Sequence, residues 1–482
     1  MAEVNVTYPA PFARRILTGE VPRLAPVSAG VVAPTIARPG EPLRLKVALA
    51  GEHGYPASDF EGAVTVRGDF AKPGAVEVRF ERGAPAVAVI DGVAIREPGL
   101  YRFAVELNGE TFAGNPVCCT VEPRPGVFWG DPHIHTVLSN CHPDRCRSLP
   151  FAFSAARWFA GLDWATAADH VSNGRCELAR WKEQVALSNA HDDPPAFVTL
   201  PGYEASLRGG CGGDNNVYMR RWPDLFVDEY EDGDTRTLCE KLAEKLPREA
   251  FFLVPHHTTR TGKHGEIPPE IYPGPDAMPV MEVHSKWGTS EYRGNPNPLY
   301  ELHPGPSYAV DLLNAGLRMG FVGGTDTHAT MPAGFGEEHL DRLPGMTAIL
   351  ADGLSRENVF GAIRSRNCYA TSLERIYLDV RVAGQPVGQA VEWADASRPR
   401  EVAVTAAGRS DIEAIDIVRN GETVHTERPG GWRGAFAFTD DGDPSALWLE
   451  PPPAGAFAYY YVRVTCRSGA QAWSSPVWLT RP

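Results

Sequence analysis

The chain has 482 residues, too many for a single core, and its 43% hydrophobic and 22% charged content is the balance of a globular protein. Its 46 basic and 60 acidic side chains leave a net charge of −14. That excludes non-specific binding to nucleic acid or an anionic membrane, both of which need a basic surface, but leaves room for a small anionic substrate held by a local cluster.

Residues 1–126 read as β structure. Leu43–Leu49, Ala75–Phe80 and Tyr101–Leu107 alternate apolar and polar side chains, and Asn108-Gly109 is a strong hairpin signal. The expectation is a small β-sandwich. Met1 to Ala25 is broken by Pro9, Pro11, Arg14, Arg15 and Glu20 and does not read as a leader, and no run approaches the ~20 apolar residues of a membrane span. Nine cysteines with no C-x-x-C pair read as free thiols of a reducing compartment, so a cytoplasmic location is expected.

From Val127 to about Thr371 the texture changes. Apolar runs alternate with helical patterns near 177–189, 235–246 and 308–318, which implies parallel βα units. Each run ends in an imidazole or a carboxylate. Val127-Phe128-Trp129 leads to His133 and His135, whose spacing puts both rings on one strand face. Later runs end at Asp169-His170, Glu204, His256-His257, Glu282 with His284, and Asp326-Thr327-His328. Asp214 is a further strand-end candidate, His142 lies in a loop of the same block, and 11 of the 14 histidines fall between His133 and His328. Carboxyl ends of parallel strands are where βα barrels place their active sites. A mixed imidazole–carboxylate set without a cysteine cluster suits catalytic Zn, Mn or Fe, and there are more ligands than one ion needs. Residues 373–482 return to β patterning, with Asn420-Gly421 as a second hairpin signal, and read as another sandwich-like domain.

The H-x-H of Gly130 to Thr136, Asp169-His170, Glu204, Pro255-His256 and Asp326-Thr327-His328 resemble, in order, the motifs of the polymerase and histidinol phosphatase (PHP) superfamily. Tyr369–Arg375 and the β domain after it resemble a bacterial branch of unknown function. The resemblance implies an α/β fold, a distorted (β/α)7 barrel over residues 127–372 between two β-sandwich-like domains, and two or three divalent ions, Zn, Mn or Fe. It implies a first ion on His133, His135, Glu204 and Asp326, and a second bridged by Glu204 and completed by His256 or its neighbour His257. Asp214 stands where the family commonly has a histidine. It implies a third ion on His170 and His328 with a ligand from the loop at Asn140, Cys141 and His142, for which His142 is taken here.

The implied activity is metal-dependent hydrolysis of a small-molecule phosphate ester by a metal-bridging hydroxide. Asp169 is expected to orient His170, and Asp169 or His328 to protonate the leaving oxygen. Arg208, Arg260, Lys263 and Lys286 are the candidate cations for transition-state charge. Glu282 and His284 are candidates to line the pocket, Trp287 to wall it, and His264 and His303 read as surface residues. A carboxylic ester, lactone or amide is the alternative substrate, and a non-catalytic binding module is the third reading. Oligomerisation is left open.

Overall fold

Alternating apolar side chains along Pro42–Ala50, Val87–Ile95 and Gly99–Leu107 give each strand one face to bury. In the computed structural model, which describes residues 4–171, 176–207, 210–224, 233–261, 264–299, 302, 305–334, 343–372, 374–395, 397–443 and 446–481, these strands fall into two sheets. One joins Asn5–Thr7, Val87–Ile95, Pro42–Ala50 and Ser28–Val32; the other joins Ile36–Ala37, Glu110–Cys119, Gly99–Leu107, Gly62–Arg67 and Ala75–Phe80. Leu45, Val47, Val66, Val78, Ile90, Phe103 and Val105 form their shared core. Asn108 (φ 52°) and Gly109 (φ 85°) supply the left-handed pair that a two-residue hairpin turn requires.

The site-bearing segment follows. Strands β1 (Gly126–Ile134), β2 (Trp164–Ala167) and β3 (Val198–Thr199) pair in parallel. Strands β4 (Gly202–Ser206), β5 (Asp214–Met219) and β6 (Phe251–Pro255) form a separate antiparallel sheet. Strands β7 (Val280–Ser285) and β8 (Gly320–Gly323) are parallel. Strands β9 (Gly345–Ala351) and β10 (Cys368–Ser372) are antiparallel, with β9 beside β1.

The expected (β/α)7 barrel is not formed. Such a barrel needs parallel strands joined by helical crossovers. Here the strands are divided among three sheets, each with antiparallel neighbours in the site-bearing segment, and the described residues hold only six α-helices along the whole chain. The cause is local. After β4, Gly212 (φ 112°) and Gly213 (φ 59°) turn the chain straight back into β5, leaving no length for a crossover. Asp214-Asn215-Asn216, which open β5, are poor strand formers and hide this strand from pattern reading.

Beyond β10, Tyr377–Val382, Arg400–Ala407 and Arg433–Asp440 make a small antiparallel sheet. The other C-terminal strands extend the central sheet. Tyr369, Ala370 and Thr371 of β10 pair with Ser474, Trp473 and Ala472. One eleven-stranded sheet therefore runs from β3 through β2, β1, β9 and β10 to Glu422–Glu427, across the domain boundary expected at 372/373. All nine cysteines are free thiols. Among the described residues no helix is long and apolar enough to cross a membrane.

Candidate metal centre

His133 and His135 leave the end of β1 on one face and meet Glu204 from β4 and Asp326 from the loop after β8. His133 Nε2 lies 3.6 Å from Glu204 Oε2 and 3.5 Å from Asp326 Oδ1. His135 Nε2 lies 3.1 Å and 3.0 Å from the same two oxygens. All four residues are buried. Glu204 Oε1 faces His256 Nε2 at 3.6 Å, and Asp214 brings a carboxylate oxygen into that group. His170 Nδ1 is 3.3 Å from Glu204 Oε2. His170, His328, His135 and Cys141 form a third group, with ligand atoms all within 4.8 Å of one another.

Backbone pairing holds these ends together. Single bridges join His170 to Glu204 and Ile134 to Thr327. The buried Asp131 carboxylate, which sequence reading missed, accepts from the His133 and Thr325 N–H groups and, at 2.6 Å, from the Thr325 hydroxyl. It thereby ties the H-x-H strand to the segment carrying Asp326. Asp326 (φ 50°) and His257 (φ 54°) both occupy left-handed conformations that non-glycine residues rarely adopt, strain of a kind that concentrates at functional sites. Gly324 leaves room for the ligand support: a Cβ there would lie 2.5 Å from Glu282 Oε2 and 2.7 Å from His133 Cβ.

The residues fit a metal. His133 Nε2, His170 Nδ1, Glu204 Oε2, Asp214 Oδ1 and both ring nitrogens of His256 are buried with no hydrogen-bond partner. An unsatisfied buried polar group costs about 1–3 kcal/mol, and a cation shared by several of them removes that cost. Burial alone would raise the Glu204 and Asp326 carboxyls, but surrounding imidazoles, led by His170 for Glu204 and His133 for Asp326, hold both well below the usual range. Burial, with His133 beside it, keeps His256 far below the usual imidazole value. Anionic carboxylates and a neutral imidazole are the ligand forms; against their burial, the same carboxylates hold His133 above the usual imidazole value and His135 up to about 10, so a cation binding there must displace their protons.

Supporting contacts orient the donors. Glu282 Oε2 meets His133 Nδ1 at 3.0 Å, leaving Nε2 aimed inward. His264 Nδ1 meets Asp214 Oδ2 at 2.6 Å, and His257 Nε2 meets Asp326 Oδ2 at 2.7 Å. Of the two neighbours, His256 faces Glu204 and His257 bonds Asp326, and both share a potential ligand group with Asp326.

Several expectations need correction. Cys141, not His142, joins His170 and His328; the His142 ring packs edge-on against His328, with centroids 4.8 Å apart. Asp169 does not orient His170, because its two oxygens accept from the Thr136 N–H and hydroxyl, and it is absent from the cleft wall. Burial and the neighbouring His135 push His328 down to about 4, so its neutral ring suits a ligand rather than a proton donor. Lys286 is buried with its ammonium 5.0 Å from the Trp287 ring and does not line the cleft, whereas Arg260 and Trp287 do. His284 turns away from the site to meet Thr289 Oγ1 and the Leu343 carbonyl, because a register shift between Glu282 and His284 breaks the alternation. His264 lies on the cleft wall instead of the outer surface. Arg208, Lys263 and His303 lie outside the described residues. The cleft above the ligand groups holds about 350 Å³.

No family model matches the chain. It is similar to uncharacterized proteins of Chlamydia muridarum (27% identity over 415 residues), Chlamydia pneumoniae (26% over 408) and Chlamydia trachomatis serovar D (27% over 412). Each alignment takes in 81% of this chain and 64% of the relative, so the chain spans less than two-thirds of the length of these curated relatives. Among solved structures, Salmonella α2-macroglobulin reacted with methylamine aligns over 95% of this chain and 24% of its own, with 8% identity and a TM-score of 0.16, a likeness that carries no argument.

Proposed function

We propose that the chain is a metal-dependent hydrolase acting on a small-molecule phosphate ester, with a ligand set of the PHP kind on a different strand arrangement. The observation that supports this is the convergence of buried nitrogen and oxygen donors, several without a hydrogen-bond partner, from separate strand ends at one cleft, which His170, Glu204, Asp214, Asp326 and His328 line. His133, His135, Glu204 and Asp326 would hold one ion, Glu204, Asp214 and His256 a second, and His170 and His328 belong to a third position. Bound Zn, Mn or Fe supplies Lewis acidity, lowering the pKa of water towards ~7 and offsetting negative charge on a phosphoryl group. The chain's own groups supply placement. Arg260 on the wall attracts an anionic substrate, Trp287 beside it covers an apolar part, and His142, on the wall outside the ligand groups, is positioned to hand a proton to a departing oxygen.

The test is metal content and turnover on the same preparation, against a panel of phosphate and carboxylic esters, with and without chelator. Phosphate-ester turnover should vanish on chelation and return with added Mn or Zn. Asp326→Asn, which removes one ligand charge at nearly constant volume, should cut turnover by more than the roughly 10–100-fold typical of outer-shell changes while the circular dichroism stays unchanged. Full activity in chelated protein would sink the reading. Turnover of carboxylic substrates alone would transfer the site to ester, lactone or amide hydrolysis.

A further inference from the structure

Just after the H-x-H pair the chain makes a short 3-10 turn, Val137–Ser139. Thr136 caps it, its hydroxyl accepting from the Leu138 N–H, and Asn140 ends it in the left-handed conformation (φ 54°, ψ 21°). Ser139 faces inward. Its hydroxyl meets His135 Nδ1 at 3.0 Å and accepts from the His170 N–H at 3.0 Å, fastening the turn to two strand ends at once. The residue delivered next is Cys141. Its sulfur joins ring nitrogens of His135, His170 and His328, all within 4.8 Å of one another. His135 Nδ1 is engaged by Ser139 and its Nε2 faces the first position, which leaves Cys141, His170 and His328 to the third. Donors bound to one tetrahedral ion at about 2.0–2.3 Å are separated by roughly 3.3–3.8 Å, so a small inward contraction makes these three a coordination shell with one place open. His170, a member of this group, has its Nδ1 buried without a hydrogen-bond partner.

We infer that Cys141 is a thiolate ligand of the third ion, making that position a sulfur–imidazole site that selects a thiophilic metal, while the other two positions are built from oxygen and nitrogen alone. The inference rests on the metal-centre reading above and deepens it. Sulfur favours Zn, Fe(II) or Co(II) over Mn, whereas carboxylate-rich positions accept Mn readily. The chain therefore sorts metals between positions a few ångströms apart. The Cys146 thiol lies nearby but bonds the His328 carbonyl at 3.2 Å. It belongs to none of the described ligand groups, and among the described residues Cys141 is the one cysteine that does.

Cobalt distinguishes the outcomes because a thiolate bound to Co(II) adds a charge-transfer band that oxygen and nitrogen ligands lack. Titrating the metal-free full chain with Co(II) should develop this band. Cys141→Ser should abolish it and remove one equivalent of tightly bound cobalt, whereas Cys146→Ser should keep both. Mn(II) should leave one position unfilled in the wild type. Should Cys141→Ser fail to fold, the wild-type chain answers alone: Zn(II) should slow alkylation of Cys141 by iodoacetamide more than 10-fold, read by peptide mass spectrometry. Cobalt bound without the band, a band that survives Cys141→Ser, or alkylation of Cys141 indifferent to Zn(II) overturns the inference and leaves the metal centre standing. No cobalt bound at all overturns both.

Discussion

Four ligands in the centre are each held by a second residue, of which His257 and His264 also line the cleft. His133 has Glu282, Asp214 has His264, Asp326 has His257 and His135 has Ser139. An imidazole whose outer nitrogen is engaged by a carboxylate is fixed in tautomer and orientation and made a stronger donor. Glu282→Gln keeps the size and one acceptor but removes the charge, so metal affinity should fall about 10–100-fold with little loss of folding stability. A competition titration against a chromophoric chelator measures this, and unchanged affinity would show that Glu282 only fills space. At this scale the sequence is informative where a reactive side chain ends an apolar run, as His133, Glu204, His256 and Asp326 do. It is silent where the partner comes from a distant loop. His264 sits in a Gly-rich stretch that reads as surface, and Cys141 is hidden because a lone cysteine carries no spacing pattern.

Between elements, packing is tight enough that a single methyl group matters. Gly324 lies where the segment after β8 crosses both His133 and Glu282. Gly324→Ala must displace one of them, so it should cost about 1–3 kcal/mol of stability in the metal-free chain and weaken metal binding as well. Gly361, inside the helix Arg356–Arg364, has nothing within 4 Å of an added Cβ. Gly361→Ala should therefore stabilise by about 0.5–1 kcal/mol and leave metal affinity alone. Paired chemical-denaturation curves read both; equal effects would refute the steric account. The strands themselves could be read from alternation and from the Asn-Gly turns. Their partners could not, because side-chain period says which face is buried and not whether the neighbouring strand runs parallel or antiparallel. The return of β4 into β5 turned an expected crossover into a hairpin and with it an expected barrel into separate sheets.

For the molecule as a whole, the eleven-stranded sheet means that the metal centre is not a module. The strand carrying His133 is two strands away from β10, and β10 owes its outer hydrogen bonds to Gln471–Ser474 at the far end of the chain. Ending the chain at 372 would strip that partner and bare an edge of five buried residues, Cys368–Ser372, whose unpaired N–H and C=O groups are a template for association with other chains. The expected product is an insoluble or aggregated fragment, recovered when residues 373–482 are supplied as a second polypeptide; a monodisperse fragment that still binds metal would contradict this. Inheritance and engineering meet the same constraint. A recombination event that carries off the histidines and carboxylates without the last hundred residues delivers ligands with nothing to hold their sheet closed, so the unit that must travel intact is far larger than the cluster of side chains that performs the chemistry.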